Sequence, residues 1–209
     1  MKILEATEAH VAPHADEFAE LIHATGPVTY DYQFVRRELF DKLVKASWAT
    51  PGTLFAYDET SLAFDADELV GILVRFHGPE FLRRRKALPP LWKPMMDSGE
   101  VSPEDLKEIG RRTHLCSYLN AAIPSVVYYI HAIAVKETAR GRGVGAALVR
   151  HAMQRGRSAG LRGLHLDVLS DNPAVEFYHS LGLDCIVQTI APEPLANGVP
   201  MEMRMALDF

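Results

Sequence analysis

The chain has 209 residues, of which 48% are hydrophobic and 23% are charged, and its formal net charge is −5. This length and composition are typical of one globular domain with a sizeable core. The lack of a basic excess argues against a nucleic-acid partner, and no apolar run approaches the ~18 residues that a membrane-spanning helix needs.

The two cysteines, Cys116 and Cys185, lie far apart and fit no metal-ligand spacing, so no metal site is predicted. We interpret them as reduced thiols of a cytoplasmic protein. The first ten residues, MKILEATEAH, lack the charged region and apolar stretch of a signal peptide, which agrees with a cytoplasmic location.

Hydrophobic periodicity predicts alternating strands and helices in the first part of the chain. Turn residues and changes of period set the expected boundaries. The predicted elements are a strand over residues 2–6, a helix over 12–25, a loop over 26–32, a helix over 33–47, and a hairpin of strands 53–58 and 68–76.

Residues 78–120 interrupt this rhythm with five prolines and a basic cluster at 83–86. The run Ser102, Pro103, Glu104, Asp105 has the pattern of a helix start, with a capping residue, a proline at the first helical position and an acid in the first turn. The segment is therefore predicted to be a helical insertion.

The second half is predicted to contain one parallel crossover. Residues 126–135 are almost wholly apolar, as in a central strand that is buried on both faces. A strand–loop–helix–strand order over 126–169 implies a right-handed crossover, while the flanking hairpins imply antiparallel pairs. After it come a short helix that ends at Gly182 and strands over 185–190 and 200–207, so residues 1–209 are predicted to form a single α/β domain with a mixed sheet.

The segment RGRGVGAALV, residues 140–149, resembles a phosphate-binding loop that opens a helix. Free N–H groups at a helix start bind anions, and glycines let the backbone approach the ligand. A P-loop is excluded because no Lys-Ser or Lys-Thr follows the glycines. Gly141, Gly143 and Ala146 fit the dinucleotide pattern G-x-G-x-x-G/A, but residues 136–140 separate them from the strand and Asp167 lies in mid-strand, which disfavours that reading.

A third interpretation is a resemblance. Residues 140–145 fit the form Gln/Arg-x-x-Gly-x-Gly/Ala of the GNAT superfamily of N-acetyltransferases, with Val135 ending the preceding strand. Residues 172–183, NPAVEFYHSLGL, are similar to the superfamily's downstream segment of Asn, a helix with Tyr, then Gly. One spacing differs: Asn172 lies six residues before Tyr178, where many members have seven, so either Asp171 or Asn172 takes the cofactor-contacting role.

The resemblance implies the acyl-CoA N-acyltransferase fold, a mostly antiparallel α/β sheet in which one parallel strand pair splays apart. It also implies acetyl-CoA as cosubstrate, with its diphosphate on the loop amides and its pantetheine arm on the exposed strand edge. The implied cofactor-binding residues are Ile133, Ala134, Val135, Arg140, Gly141, Arg142, Gly143, Val144, Gly145, Ala146, Asn172 and Tyr178.

The implied reaction is direct attack of a primary amine on the thioester. By resemblance, Tyr178 is the acid that protonates the departing thiolate. His131 is a candidate base because it lies on the central strand and titrates near neutrality, although a hydrogen-bonded core histidine fits the pattern too. Tyr129, on the same strand face, is a candidate relay through water or a packed aromatic. Neither cysteine has a neighbouring base, so no acyl-enzyme is expected.

The acceptor is expected to be a small-molecule or peptide amine, with neither nucleic acid nor membrane as partner. Exposed strand edges allow a homodimer, and a non-catalytic acyl-CoA-binding module is the alternative function. The basic run at 83–86 suits an anionic acceptor, the CoA 3′-phosphate or a solvated helix face. Trp92, Met95 and Met96 are candidate acceptor-pocket residues that packing of the insertion onto the sheet explains equally well. The resemblance adds Tyr30 and Tyr32, which lie where members of the superfamily often shape the acceptor site.

Overall fold

Seven strands form one sheet in the computed structural model, which describes residues 1–209. The strands are β1 (Lys2–Glu5), β2 (Thr60–Asp65), β3 (Glu68–His77), β4 (Val127–Val135), β5 (Gly163–Leu169), β6 (Asp184–Thr189) and β7 (Glu202–Asp208). The helices are α1 (Val11–Ala24), α2 (Pro27–Gln33), α3 (Arg37–Trp48), α4 (Glu80–Lys86), α5 (Lys93–Asp97), α6 (Pro103–Cys116), α7 (Val144–Ser158), α8 (Ala174–Ser180) and α9 (Pro192–Ala196).

The sheet is mixed, and its spatial order is β1-β2-β3-β4-β5-β7-β6. All neighbouring strands are antiparallel except β4 and β5, which are parallel and are connected by α7. The predicted mixed sheet with one parallel crossover is therefore confirmed. The last strand of the chain, β7, lies between β5 and β6, so it brings its side chains next to the parallel pair.

Helices cover both faces of the sheet. On one face α1 and α3 pack together, with the rings of Phe18 and Trp48 stacked at 4.0 Å between centroids. On the other face α7 packs against β3, β4 and β5 through Leu148, Val149 and Ala152, which are fully buried. Burial of β4 by helices on both sides explains why its sequence is almost wholly apolar. None of the helices combines the length and apolar character that crossing a bilayer requires.

Residues 78–120 contain the helices α4, α5 and α6. The cap at the start of α6 is formed as expected: the Asp105 amide donates to Ser102 Oγ at 3.0 Å, and the Ser102 amide donates to Asp105 Oδ2 at 3.1 Å. The segment contributes Phe81, Trp92 and Ile109 to the buried cluster on the α1–α3 face.

Two predicted elements in the first half are wrong. Residues 53–58 are not a strand; the Phe55 amide donates to Ser47 Oγ at 3.0 Å, so the end of α3 takes the hydrogen bond that a neighbouring strand would have taken. The hairpin strand is β2, which begins at Thr60. Residues 26–32 are not a loop, because Pro27 occupies the first position of α2, where a missing N–H costs nothing.

Candidate active site

The parallel strands β4 and β5 form a fork. They pair only over residues 127–130 and 163–166, although β4 continues to Val135 and β5 to Leu169. Beyond that point β4 remains paired with β3, and β5 with β7. The two edges that face each other across the fork are therefore unpaired, and their backbone polar groups are free to bind another extended group.

A β-bulge lies where the fork opens. Val74 of β3 pairs with Ala132 and Arg75 pairs with Ile130, so His131 is the extra residue in β4. A bulge bends its strand and redirects its side chains, and bulges are common beside active sites. The bulge lies directly after Ile130, where the pairing of β4 with β5 ends.

A buried network lies at the base of the fork. The Tyr129 hydroxyl donates to Asp167 Oδ2 at 2.8 Å, and Arg204 of β7 donates to the same carboxylate through Nε and Nη2. The Arg204 guanidinium also donates to the carbonyls of Ala121 and Ala122 at 2.8 and 3.1 Å. A buried ion pair with its hydrogen bonds satisfied in this way fixes geometry. It also makes the Tyr129 hydroxyl a donor to Asp167.

The fork opens into a cavity of about 980 Å³ between β4, β5, α8 and the helical segment 78–120. This volume lies at the upper end of the range for small-molecule and cofactor sites. The cavity brings together seven of the predicted site residues: His131, Ile133, Ala134, Val135, Arg140, Asn172 and Tyr178. The remaining predicted residues, Gly141, Arg142, Gly143, Val144, Gly145 and Ala146, follow Arg140 outside the lining.

The glycine loop presents free amides at the start of α7. Gly141 and Gly143 have φ of +73° and +80°, and Gly143 is the N-cap of the helix. No amide N–H from residue 141 to residue 146 donates a hydrogen bond within the chain; the first intrahelical bond runs from the Ala147 amide to the Gly143 carbonyl. The loop therefore has the geometry of an anion site, with donors and the positive end of the helix dipole at one place.

Two arginines flank these amides. Arg140 Nε donates to the Val135 carbonyl at 3.4 Å, which joins the loop to the end of β4. Arg142 is exposed and pairs with Asp65. Gly145 fits closely against α8, since a Cβ at this position would lie 3.4 Å from the Phe177 ring.

Tyr178 projects from α8 into the cavity and is 6% exposed. Burial raises the pKa of its hydroxyl above the usual value of 10. The phenol is therefore neutral at pH 7 and able to donate a proton or a hydrogen bond. Its neighbour in the motif, Asn172, accepts from the Ala174 amide at 2.9 Å and lines the cavity, whereas Asp171 is exposed and does not.

His131 lies among aromatic rings in the cavity wall. The rings of Phe55, Phe76 and Phe81 have centroids 5.3, 5.9 and 5.7 Å from the imidazole centroid, and Nε2 is buried without a hydrogen-bond partner. Burial, together with the charge of Arg85, lowers its pKa to about 4. The imidazole is therefore neutral at pH 7 and is a weak base.

Glu202, which sequence analysis did not select, also lines the cavity. Glu202 is the first residue of β7 and pairs with Leu169 at the end of β5. Its only side-chain hydrogen bond is donated by Asn120 Nδ2 at 3.5 Å. Burial and the nearby Asp167 carboxylate raise its pKa to about 8. The available signal was the alternation of Glu202 and Arg204 with methionines in a strand that was predicted near the end of the chain.

The candidate acceptor-pocket residues divide. Tyr30, Trp92 and Met96 line the cavity. Tyr32 instead reaches Glu193 with its hydroxyl at 3.4 Å, and Met95 packs against the buried cluster on the α1–α3 face. Tyr32 and Met95 therefore lie outside the cavity, while Tyr30 and Trp92 both line the cavity and pack in the buried cluster.

Comparisons with known proteins agree with this geometry. A family model described as the Acetyltransferase (GNAT) family matches residues 29–183. Searching curated proteins by sequence finds no match.

Several solved structures share the fold. An N-acetyltransferase from Staphylococcus aureus Mu50 is 17% identical, covers 99% of this chain and 100% of its own, and has a TM-score of 0.73. A structure described as an acetyltransferase is 20% identical with 100% and 99% coverage and a TM-score of 0.65. The ribosomal-protein-S18-alanine N-acetyltransferase from Escherichia coli is 15% identical with 99% and 92% coverage and a TM-score of 0.55.

Substitution of Gly141 by Ala is expected to weaken binding of CoA about tenfold, because a side chain at this positive φ strains the loop that presents the free amides. Gly160→Ala is the matched control, since Gly160 has a φ of +72°, equally open surroundings and a place at the other end of α7. Both variants should lose about 1–2 kcal/mol of stability. Calorimetry that finds equal CoA affinity for the two variants would contradict the loop's assignment.

Replacement of Glu202 by Gln is expected to change how stability depends on pH. The folded-state pKa of Glu202, about 8, lies above its ordinary value of 4.5, so its proton stabilises the folded state at low pH and this contribution is lost as pH rises through 8. Between pH 7 and 9 the wild type should lose about 1.4 kcal/mol relative to Glu202→Gln. Urea unfolding of both proteins at these two pH values measures the difference, and parallel behaviour would show that the carboxyl is not perturbed.

Proposed function

Because the chain belongs to the Acetyltransferase (GNAT) family, whose cosubstrate is acetyl-CoA, we propose that it moves the acetyl group to a primary amine by direct attack. One observation carries the proposal: a single cavity is lined by the unpaired edge of β4 and by Tyr178. The same cavity reaches the end of β4, beside the free amides of the glycine loop. Residues 1–209 form one N-acetyltransferase domain in this proposal, since strands from both ends of the chain complete one sheet.

The loop and the fork fit acetyl-CoA in two parts. The free amides of residues 141–146 bind the diphosphate, with Arg140 and Arg142 adding positive charge. The unpaired edge of β4 at residues 133–135 binds the amide-bearing pantetheine arm in the manner of an added strand. Asn172, at the start of α8, lines the same path.

The sulfur leaves toward α8. Tyr178 keeps its proton at pH 7, because burial raises its pKa, and its hydroxyl has no competing partner within the chain. In the proposal it donates that proton to the thiolate and regains one from solvent. Backbone N–H groups of the open β4 edge stabilise the negative charge that develops on the thioester oxygen.

The acceptor must lose a proton before it attacks. A lysine-like amine has a pKa of ~10.4, so about one molecule in 2,500 is neutral at pH 7. Both His131 and Glu202 lie in the cavity wall. Glu202 has a pKa of about 8, so roughly a tenth of it is ionised at pH 7, and that form is a stronger base than the imidazole of His131. The unpartnered imidazole of His131 accepts a hydrogen bond from the amine nitrogen.

A covalent acetyl-enzyme has no support in the site. Neither cysteine lines the cavity, and burial raises the pKa of the Cys116 thiol, which makes the thiolate scarcer. Direct transfer requires only that the amine and the thioester share one cavity.

The Tyr178→Phe variant tests this function. It should release CoA thiol at least about 100-fold more slowly with an active amine, because the leaving group loses its acid. Affinity for CoA should change less than about threefold, under 1 kcal/mol. Tyr128→Phe is the control, because Tyr128 is as buried as Tyr178 and belongs to the same hydrophobic cluster on the α7 face, but does not line the cavity.

Unchanged turnover in Tyr178→Phe would remove the acid from this mechanism. A wild-type protein that binds acetyl-CoA but releases no thiol across polyamines, aminoglycosides, amino acids and peptide N-termini would instead support a non-catalytic acyl-CoA-binding module.

A further inference from the structure

Four consecutive basic residues on α4 have four different environments. Arg83 is exposed and bound to Glu80. Arg84 is buried and pairs with Asp58 through two hydrogen bonds of 2.9 and 3.1 Å. Lys86 is exposed. Arg85 differs from the others because it is half-buried, lines the large cavity and has no carboxylate within ion-pair distance.

The Arg85 guanidinium has few hydrogen-bond partners within the chain. A guanidinium has five N–H donors, and the only hydrogen bond of Arg85 runs from Nη2 to the Thr113 carbonyl at 3.4 Å. Burial lowers its pKa, the sign of a cation that has lost part of its hydration without gaining an anion. A desolvated charge of this kind is stabilised by an oxyanion in the space it faces.

The other long cations on the cavity wall are already engaged. Lys93 donates to the Asp97 carboxylate at 2.9 and 3.1 Å. Arg140 contacts the Val135 carbonyl beside the glycine loop. Arg85 is therefore the arginine or lysine of the wall that is free to meet an anion away from that loop.

The position of Arg85 separates it from the phosphate groups of CoA. Helix α4 follows β3, and β3 is antiparallel to β4, so His77 lies opposite Tyr128 while Gly71 lies opposite Val135. The loop that carries the free amides begins after Val135, at one end of the β3–β4 pair. Arg85, on α4, comes after His77, which lies at the opposite end of that pair. The six residue-to-residue steps along β4 from Tyr129 to Val135 span about 20 Å. Arg85 also acts on His131, whose pKa its charge helps to lower.

We propose that Arg85 binds an oxyanion on the acceptor, so that the acceptor is an amine that also carries a carboxylate. This inference rests on the proposed function and names its substrate class. One unpaired guanidinium matches one negative charge, which favours a carboxylate over a dianionic phosphate, and its planar fork fits both oxygens of a carboxylate. An ammonium group bound in the same cavity would favour the ionised form of Glu202, which would then balance its charge.

The test compares the twenty amino acids with their α-carboxamides, and phosphoethanolamine with ethanolamine, as acceptors in a thiol-release assay with acetyl-CoA. Wild type should show kcat/KM at least tenfold higher for a carboxylate acceptor than for its amide. Arg85→Gln should raise KM for that acid at least tenfold, while KM for the amide and the affinity for CoA should change less than about threefold. Arg85→Lys should restore part of the preference, and Arg83→Gln, on the same helix, should behave as wild type.

A second readout does not need turnover. In the presence of CoA, N-acetyl amino acids should raise the melting temperature of wild type more than N-acetyl amino acid amides do, and Arg85→Gln should abolish the difference. No carboxylate preference in either readout, a preference for phosphoethanolamine over every acid, or loss of CoA binding in Arg85→Gln would overturn the inference. Activity on amines without regard to the carboxylate would overturn it and leave the proposed acetyl transfer intact.

Discussion

Incomplete pairing between two parallel strands sets the conditions for the whole site. β4 and β5 pair at their first halves and separate after Ile130 and Leu166, while their outer edges stay paired with β3 and β7. Buried backbone N–H and C=O groups without partners are costly, so a stable protein leaves them free only where solvent or a ligand reaches them. The fork opens into the large cavity, and an extended, amide-bearing arm satisfies the same groups that a continued strand would have satisfied.

Buried charges keep the fork in place and set the chemistry beside it. The Asp167–Arg204 pair, with side chains 6% and 2% exposed, joins β5 to β7 and holds the Tyr129 hydroxyl at the base of the fork. Asp167 accepts hydrogen bonds from both Arg204 and Tyr129. The polar side chains of the cavity wall that have few or no hydrogen-bond partners within the chain are His131, Tyr178, Glu202 and Arg85. Structure and reactivity are thus divided: one set of polar groups is mutually satisfied, and the other is available for substrate.

The parts of the site that depend on local sequence could be predicted. The glycine loop, the apolar strand before it and the helix with Tyr178 lie within a few dozen residues, and each has its own pattern of glycines, period or turn residues. Arg85 stood in a basic run, but only the positions of Asp58 and Glu80 show which member of the run lacks a carboxylate.

Features that depend on strand register could not be predicted. The bulge at His131 arises from a mismatch between β3 and β4, and Glu202 reaches the cavity only because β7 inserts between β5 and β6. The predicted strand over residues 53–58 was wrong because a side chain replaced a strand partner: Ser47 Oγ accepts from the Phe55 amide, which periodicity assigned to a sheet. The strand partners are distant in sequence, and no single window contains both, whereas Ser47 lies only eight residues before Phe55 but its side-chain hydrogen bond leaves no periodic signal.

Amide hydrogen exchange, measured residue by residue with and without CoA, tests the central claim most directly. If the free amides at the start of α7 and the open edge of β4 bind the cosubstrate, CoA should slow exchange at residues 141–146 and at residues 133–135. The strands that are already paired, such as β2, should be unaffected. Binding of CoA with no slowing at either segment, or with protection confined to another surface, would contradict the account.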